Sequence, residues 1–185
     1  MGYKYSRDDI LAAAVDASIA EGVGSLTFGR LAKRLGINDR TIVYYFPNKD
    51  ALILAVTEVH SARLQALLAS AFDHPASGHR ELAQRAWPIL ATNEAAPVFR
   101  VFFELIGLGL RGESPYDVIV PAAFEAWLDW IMPLVNVPDD RRRAEGEAAL
   151  ALLDGLLLLR QIRGPEAPSA RARQLGVSIG PTNPM

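Results

Sequence analysis

Between residues 25 and 52 the chain is punctuated so tightly that it leaves room only for two short helices and a turn. Thr27 is a good N-cap, because its hydroxyl can accept from an otherwise unpaired N–H of the first turn. Phe28, Leu31 and Leu35 then recur at helical spacing and make one face apolar, while Arg30, Lys33 and Arg34 occupy the rest. Gly36 follows the last periodic leucine, where a left-handed residue ends a helix at little steric cost. Asn38 can cap a second helix, with Asp39 near its positive end. Pro47 disfavours helical geometry at Phe46, so that helix stops near Tyr45 or Phe46, and Asn48 can start another. Two helices joined by a short glycine-containing turn form a helix-turn-helix, whose second helix enters the major groove of DNA.

The helical period says which side chains would face a duplex. With Ile42 turned toward the core, Tyr45 and Phe46 fall on roughly the same side, Arg40 and Tyr44 point nearly opposite, and Thr41 and Val43 lie on the flanks. Arg40 can donate bidentately to guanine O6 and N7, or to a phosphate. Asp39 can accept from cytosine N4 or simply complement the helix dipole. Lys49 opens the next helix, where a phosphate is attracted both by the lysine and by the helix N-terminus.

The segment resembles the DNA-binding domain of TetR-type transcriptional regulators. The pattern is carried by Thr27, Leu31-Ala32, Gly36-Ile37, Asn38, Thr41-Ile42, Tyr44-Tyr45-Phe46 and Lys49-Asp50-Ala51-Leu52, and it covers about the first 60 residues. The resemblance implies phosphate contacts from Thr27, Tyr45 and Lys49, and base or backbone contacts from Arg40, Thr41 and Tyr44. The chain departs from the pattern at Val43, where the family often has tyrosine. Candidate DNA-binding residues are therefore Thr27, Asn38, Asp39, Arg40, Thr41, Tyr44, Tyr45 and Lys49.

Charge distribution agrees, although the formal net charge of −2 taken alone argues against a nucleic-acid binder. Residues 30–49 carry Arg30, Lys33, Arg34, Arg40 and Lys49 against Asp39 alone, an excess of four positive charges. DNA binding needs a local basic face rather than a basic protein. Absence of cysteine excludes disulfides, thiolate nucleophiles and cysteine zinc sites. Lys4, Arg7, Asp8 and Asp9 come too early for a signal peptide. The apolar run Ala148 to Leu153, interrupted at Asp154, is too short to span a bilayer. A cytoplasmic protein is expected.

The remaining periodicity predicts an all-α chain. A first helix runs from Ser6 to about Glu21, with Ser6 and Asp9 as a capping-box-like pair. A long helix covers about 48–72, with Leu52, Val56, Val59, Ala62, Ala66 and Ala69 inward. Helices of about 79–92, 95–112, 115–136 and 139–163 follow. The predicted organisation is a helix-turn-helix domain over 1–50, a helical regulatory and dimerisation domain over 51–164, and an irregular tail over 165–185 rich in Pro, Gly, Ser and Arg.

The segments 115–136 and 139–163 carry more apolar surface than one core needs. Residues 148–159 are apolar nearly all round apart from Asp154, and such a helix must be covered on both sides. The economical cover is a second copy of the chain, giving a homodimer in which Gly155 allows close approach and Asp154 needs a partner. Family resemblance implies a small-molecule effector among the C-terminal helices, with Trp87, Phe99, Phe102, Phe103, Phe124 and Trp127 as candidate lining residues. It also implies a repressor released by that effector from a pseudo-palindromic operator.

Enzyme readings are weaker. Gly107 to Gly112 matches the dinucleotide fingerprint G-x-G-x-x-G, but lacks the repeated strand–helix–strand setting that gives it meaning. His60, His74 and His79 have no metal-ligand spacing, and the carboxylates form no obvious pair. No catalytic residue, metal or cofactor is expected. The competing reading is a dimeric small-molecule binder or enzyme on the same scaffold that does not bind DNA.

Overall fold

A computed structural model describes residues 5–165 and 167–177. Among them the order is α1 (Arg7–Glu21), α2 (Phe28–Leu35), α3 (Asp39–Tyr45), α4 (Lys49–Ala69), α5 (His79–Leu90), α6 (Ala96–Leu110), α7 (Tyr116–Ile131), a 3-10 turn at Met132–Leu134, α8 (Asp139–Arg163) and α9 (Ala167–Gln174). The described residues form no strand; one isolated bridge pairs Ala76 with Val135. The all-helical expectation holds, and all the predicted helix ends except those near 72 and 136 lie within two residues of those observed, because caps and breakers there are local.

Each N-terminal helix starts and stops for a visible reason. Ser6 accepts from the Asp9 N–H while the Asp9 carboxylate accepts from the Ser6 N–H, completing the capping box of α1. Thr27 caps α2 by accepting from the Arg30 N–H, and Asn38 caps α3 by accepting from the Arg40 N–H. Asn48 does the same for α4 through the Ala51 N–H at 2.8 Å. Such a cap contributes about 1 kcal/mol, which matters for helices of eight and seven residues that are marginal in isolation. Gly36 takes φ 65°, and Ile37 then donates to the Ala32 carbonyl, closing α2 with paired carbonyls.

The chain groups into two compact units: Met1–Arg63 with Arg100–Ala123, and Leu64–Phe99 with Phe124–Met185. The sequence suggested a division after residue 50. Instead the unit carrying the helix-turn-helix runs on to residue 63 and also takes in residues 100–123, because its core is built partly from distant chain. Ile10, Leu31, Ile42, Phe46, Leu52 and Val56 are buried there together with Val101, Leu105, Tyr116 and Ile119. Helix α4 has the length and hydropathy to cross a membrane. Its first half instead spends Leu52, Ile53 and Val56 on this core.

The second half of α4 differs from expectation. Ala62, Ala66 and Ala69 are exposed, and His60, Leu64 and Leu68 are turned inward instead. The i, i+4 row with the larger side chains buries more apolar area, so it sets the inward face. Gly107 and Gly109 lie within α6, and Gly112 with φ 70° ends its last turn. No strand precedes them, so the dinucleotide reading has no support. Gly109 is needed for packing: a Cβ there would stand 3.0 Å from the Tyr116 carbonyl oxygen and 3.1 Å from Val120 Cγ2.

In the second unit, α5 and α8 are pinned by Glu145, which accepts from the His79 N–H at 2.8 Å and pairs with the ring at 2.7 Å. The cluster Arg141-Arg142-Arg143 is paired: Arg141 with Glu145, Arg142 with Asp139, and Arg143 with Glu125 and Glu147. Helix α8 buries Ala149, Leu153, Leu156, Leu157 and Arg160. Its opposite side leaves Ala151 and Gly155 exposed together with Leu158, Leu159 and Ile162. Asp154 has no hydrogen bond or ion pair to a described residue, and burial pushes its carboxyl up to about 6.

The segment expected to be an irregular tail contains α9. Gly176, φ 79°, and a bond from the Val177 N–H to the Ala172 carbonyl close it, and Ala172 and Val177 are fully buried. Two small apolar anchors suffice to order a stretch whose composition alone looked unstructured. Residues 178–185 of that tail lie outside the described residues.

Candidate nucleic-acid interface

Helix α3 presents the face that the period predicted. Ile42 is fully buried and Phe46 nearly so, while Arg40 is exposed and Tyr44 is 68% exposed on the other side. Asn38 and Asp39 are exposed at its start, Thr41 is half-buried on the flank, and Val43 is 44% exposed. Arg40 makes no side-chain hydrogen bond or ion pair to any described residue, so its five donors remain for an external acceptor. Thr27 is exposed at the start of α2. Arg34 is held by Glu21 at 2.9 Å, and Arg30 donates to the Ser25 carbonyl at 3.2 Å.

Two predicted contacts are engaged within the chain. The Tyr45 hydroxyl donates to the Tyr5 carbonyl at 3.3 Å, and its ring meets Tyr44 edge-on at 4.9 Å. Lys49 holds its ammonium 5.7 Å from the centre of the Tyr116 ring. Among the described residues no group of three or more His, Asp or Glu is placed to hold a metal ion.

What orients this face was invisible to sequence reasoning. Glu104 on α6 accepts from the Val23 and Gly24 N–H groups, both at 2.9 Å, and so grips the turn between α1 and α2. The Tyr116 hydroxyl donates to the Val23 carbonyl at 3.4 Å. Burial, with the nearby charges of Glu104 and Glu113, pushes the Tyr116 phenol up. A separation of some eighty residues between grip and turn leaves no local pattern to find.

A second internal tie joins α1 to α4. The Ser18 hydroxyl donates to the Val15 carbonyl at 2.7 Å and lies 2.9 Å from His60 Nε2. With that hydroxyl hydrogen spent on Val15, the ring nitrogen is the donor, which leaves the buried Nδ1 without a partner. Burial first, and then the charge of Arg63, lower His60 from 6.5 to about 4. The folded state therefore prefers the neutral ring: its contribution is intact above pH 6.5 and is lost as pH falls toward 4. Acidification across that window is expected to cost up to about 3 kcal/mol, seen as a falling urea midpoint that flattens in His60→Gln. A midpoint that varies identically with pH in wild type and His60→Gln would contradict this; the comparison cancels the opposite contribution of Asp154, whose buried carboxyl is relieved by acid.

Gly29 sits mid-helix in α2, exposed, and a Cβ there would meet nothing within 4 Å. Gly29→Ala is thus expected to stabilise the protein by about 0.5–1 kcal/mol in urea unfolding, by restricting the unfolded chain at no steric cost.

This geometry has a match. Residues 10–56 match the family model for bacterial regulatory proteins of the tetR family. Over these residues the helix-turn-helix segment is similar to that family. Whole-chain likeness to solved structures shows the same fold. A TetR transcriptional regulator from Legionella pneumophila is 20% identical, with TM-score 0.63 over 95% of this chain and 97% of that one. A TetR-family regulator from Streptomyces coelicolor is 22% identical, with TM-score 0.70 over 92% and 93%. A candidate transcriptional regulator from Saccharomonospora viridis, solved in complex with choline, is 19% identical, with TM-score 0.63 over 91% and 92%. No curated protein matches the chain. In the tetR segment the N-caps Thr27 and Asn38, the turn at Gly36 and the exposed Arg40–Tyr44 face fall within the matched residues.

The six aromatic residues expected to line an effector site are divided between the units. Phe102 and Phe103, half-buried with ring centres 5.4 Å apart, belong to the first. Trp87, Phe99, Phe124 and Trp127 belong to the second. Trp87 and Phe99 are buried there, Phe124 is 42% exposed, and Trp127 meets Trp130 edge-on at 5.5 Å.

Proposed function

We propose that this chain is a DNA-binding transcriptional regulator that works as a homodimer, represses from a pseudo-palindromic operator, and is released by a small molecule. The observation that carries the reading is the face of α3, where Arg40 and Tyr44 stand exposed opposite a fully buried Ile42. A basic, solvated helix face backed by a firm core is what the major groove accepts. Candidate contacts are Thr27, Asn38, Asp39, Arg40, Thr41 and Tyr44. Tyr45 and Lys49 would reach phosphate only by leaving Tyr5 and Tyr116.

The dimer follows from the uncovered side of α8. Gly155, Leu158, Leu159 and Ile162 form a continuous exposed apolar strip, and Phe124 of the same unit is exposed on α7. Two copies of α7 and α8 would bury it, and a two-fold axis would set two recognition helices about 34–36 Å apart for successive major grooves. Effector binding is supported by the choline complex of a protein with the same fold. Such a molecule releases DNA only by preferring the conformation that fits DNA badly.

The test is fluorescence anisotropy on DNA from upstream of the chain's own gene. A steep fall of affinity with salt is expected, since phosphate contacts release counterions. Absent or salt-independent binding across the upstream fragments would favour the non-DNA-binding scaffold instead.

A further inference from the structure

Arg160 is the one strongly basic side chain that the described residues bury, at 7% exposure. It projects from the last turn of α8 and donates through Nη2 to Asn93 Oδ1 at 2.8 Å. Its Nε is fully shielded and has no hydrogen-bond partner. No carboxylate of a described residue lies within ion-pair distance of it, whereas Arg85, Arg141, Arg142 and Arg143 in the same unit, all more exposed, each have one. A guanidinium stays charged at any pH at which a protein is folded, so it cannot escape burial by losing a proton. The carbonyls at the end of α8 favour a cation there, but a helix terminus offsets only a fraction of the cost of burying a charge.

We propose that Arg160 and Asn93 form a binding site for the carboxylate of a small, singly charged organic acid. Nε–H and the remaining Nη hydrogens offer a planar fork that suits a carboxylate, and the Asn93 amide nitrogen adds a further donor beside it. One guanidinium balances one negative charge, which disfavours a dianion such as phosphate. The neighbourhood is apolar: Leu156 and Leu157 share the buried face of α8 with Arg160, and α5 ends in buried Trp87 and Leu90 three residues before Asn93. An acid with a hydrocarbon body therefore fits better than a sugar acid.

The countercharge does not come from a second copy of the chain. Arg160 lies on the inward face of α8, toward its own α5–α6 connection. The apolar strip left for a partner, with Gly155 and Ile162, points about 140–160° away around the helix.

The site deepens the effector reading and rests on it, but it can be tested without DNA. In arginine-edited NMR spectra the shielded Arg160 Nε–H, identified by its disappearance in Arg160→Lys, is expected to shift saturably with acetate. It should not shift with acetamide at equal concentration and ionic strength. Octanoate is expected to bind more tightly than acetate and to raise the thermal midpoint. Arg160→Gln is expected to weaken octanoate binding by about tenfold or more, as for loss of a charged hydrogen bond. An Nε–H unmoved by both acids overturns the site, as does octanoate binding unchanged in Arg160→Gln. A resonance that follows protein concentration rather than acetate also overturns it, by assigning the countercharge to a second chain. Octanoate binding with no change in DNA affinity would keep the site and remove its effector role. DNA release by a compound indifferent to Arg160→Gln would keep the regulator and separate it from this site.

Discussion

Arg40→Ala is expected to weaken binding to operator DNA by roughly 5- to 150-fold for each half-site, the equivalent of about 1–3 kcal/mol for a good bidentate contact to a base. If Arg40 reads guanine, the loss should be concentrated at one position of each half-site. If it binds phosphate, affinity should fall evenly across sequences and the salt slope should shrink by about one charge per protomer. Both outcomes leave the fold alone, because the side chain is exposed and bonded to no described residue. A thermal midpoint within a degree or two of wild type separates this from unfolding, and anisotropy on paired operator variants reads the rest. Undiminished affinity would take Arg40 out of the interface, and with it the orientation of α3 inferred from Ile42.

Gly155→Arg should produce a comparable or larger loss by another route. Apart from the helix's own backbone, no described residue lies within 4 Å of a Cβ at Gly155, so the protomer has room for the side chain, and arginine is a better helix former than glycine. The substitution should therefore leave the protomer as stable as before or slightly more so. In a dimer built on α8, however, it drives a charged side chain into the closest approach of two apolar strips. We expect a monomer by sedimentation at micromolar concentration, and a fall in operator affinity of about 10²–10⁴-fold as the second recognition helix stops contributing. A variant that still sediments as a dimer would place the interface elsewhere.

How much could be read beforehand depended on how far each cause lay along the chain. Thr27, Asn38 and Gly36 act on atoms within four or five residues, so the caps and the turn of the helix-turn-helix were legible. The exposed Arg40–Tyr44 face followed from a fixed 100° per residue once Ile42 was turned inward. The second half of α4 was misread, because choosing between an alanine row and the row of His60, Leu64 and Leu68 requires knowing what covers it. The tail was misread for a similar reason: α9 is secured by Ala172 and Val177 against the rest of its unit.

By itself, then, the sequence determined the first eight helices, most of their ends, the basic character of the recognition face and the excess of apolar surface on α8, all consequences of short-range hydrogen bonding and helical periodicity. Only the tertiary structure decided that Glu104 and Tyr116 grip the turn before α2, that the helix-turn-helix shares its core with residues 100–123, that His60 is held neutral beside Ser18, and that Arg160 is buried with an amide rather than a carboxylate for company. Those are pairings between residues forty or more positions apart. Their energy comes from desolvation and from contact across elements, and neither quantity exists until the chain has folded.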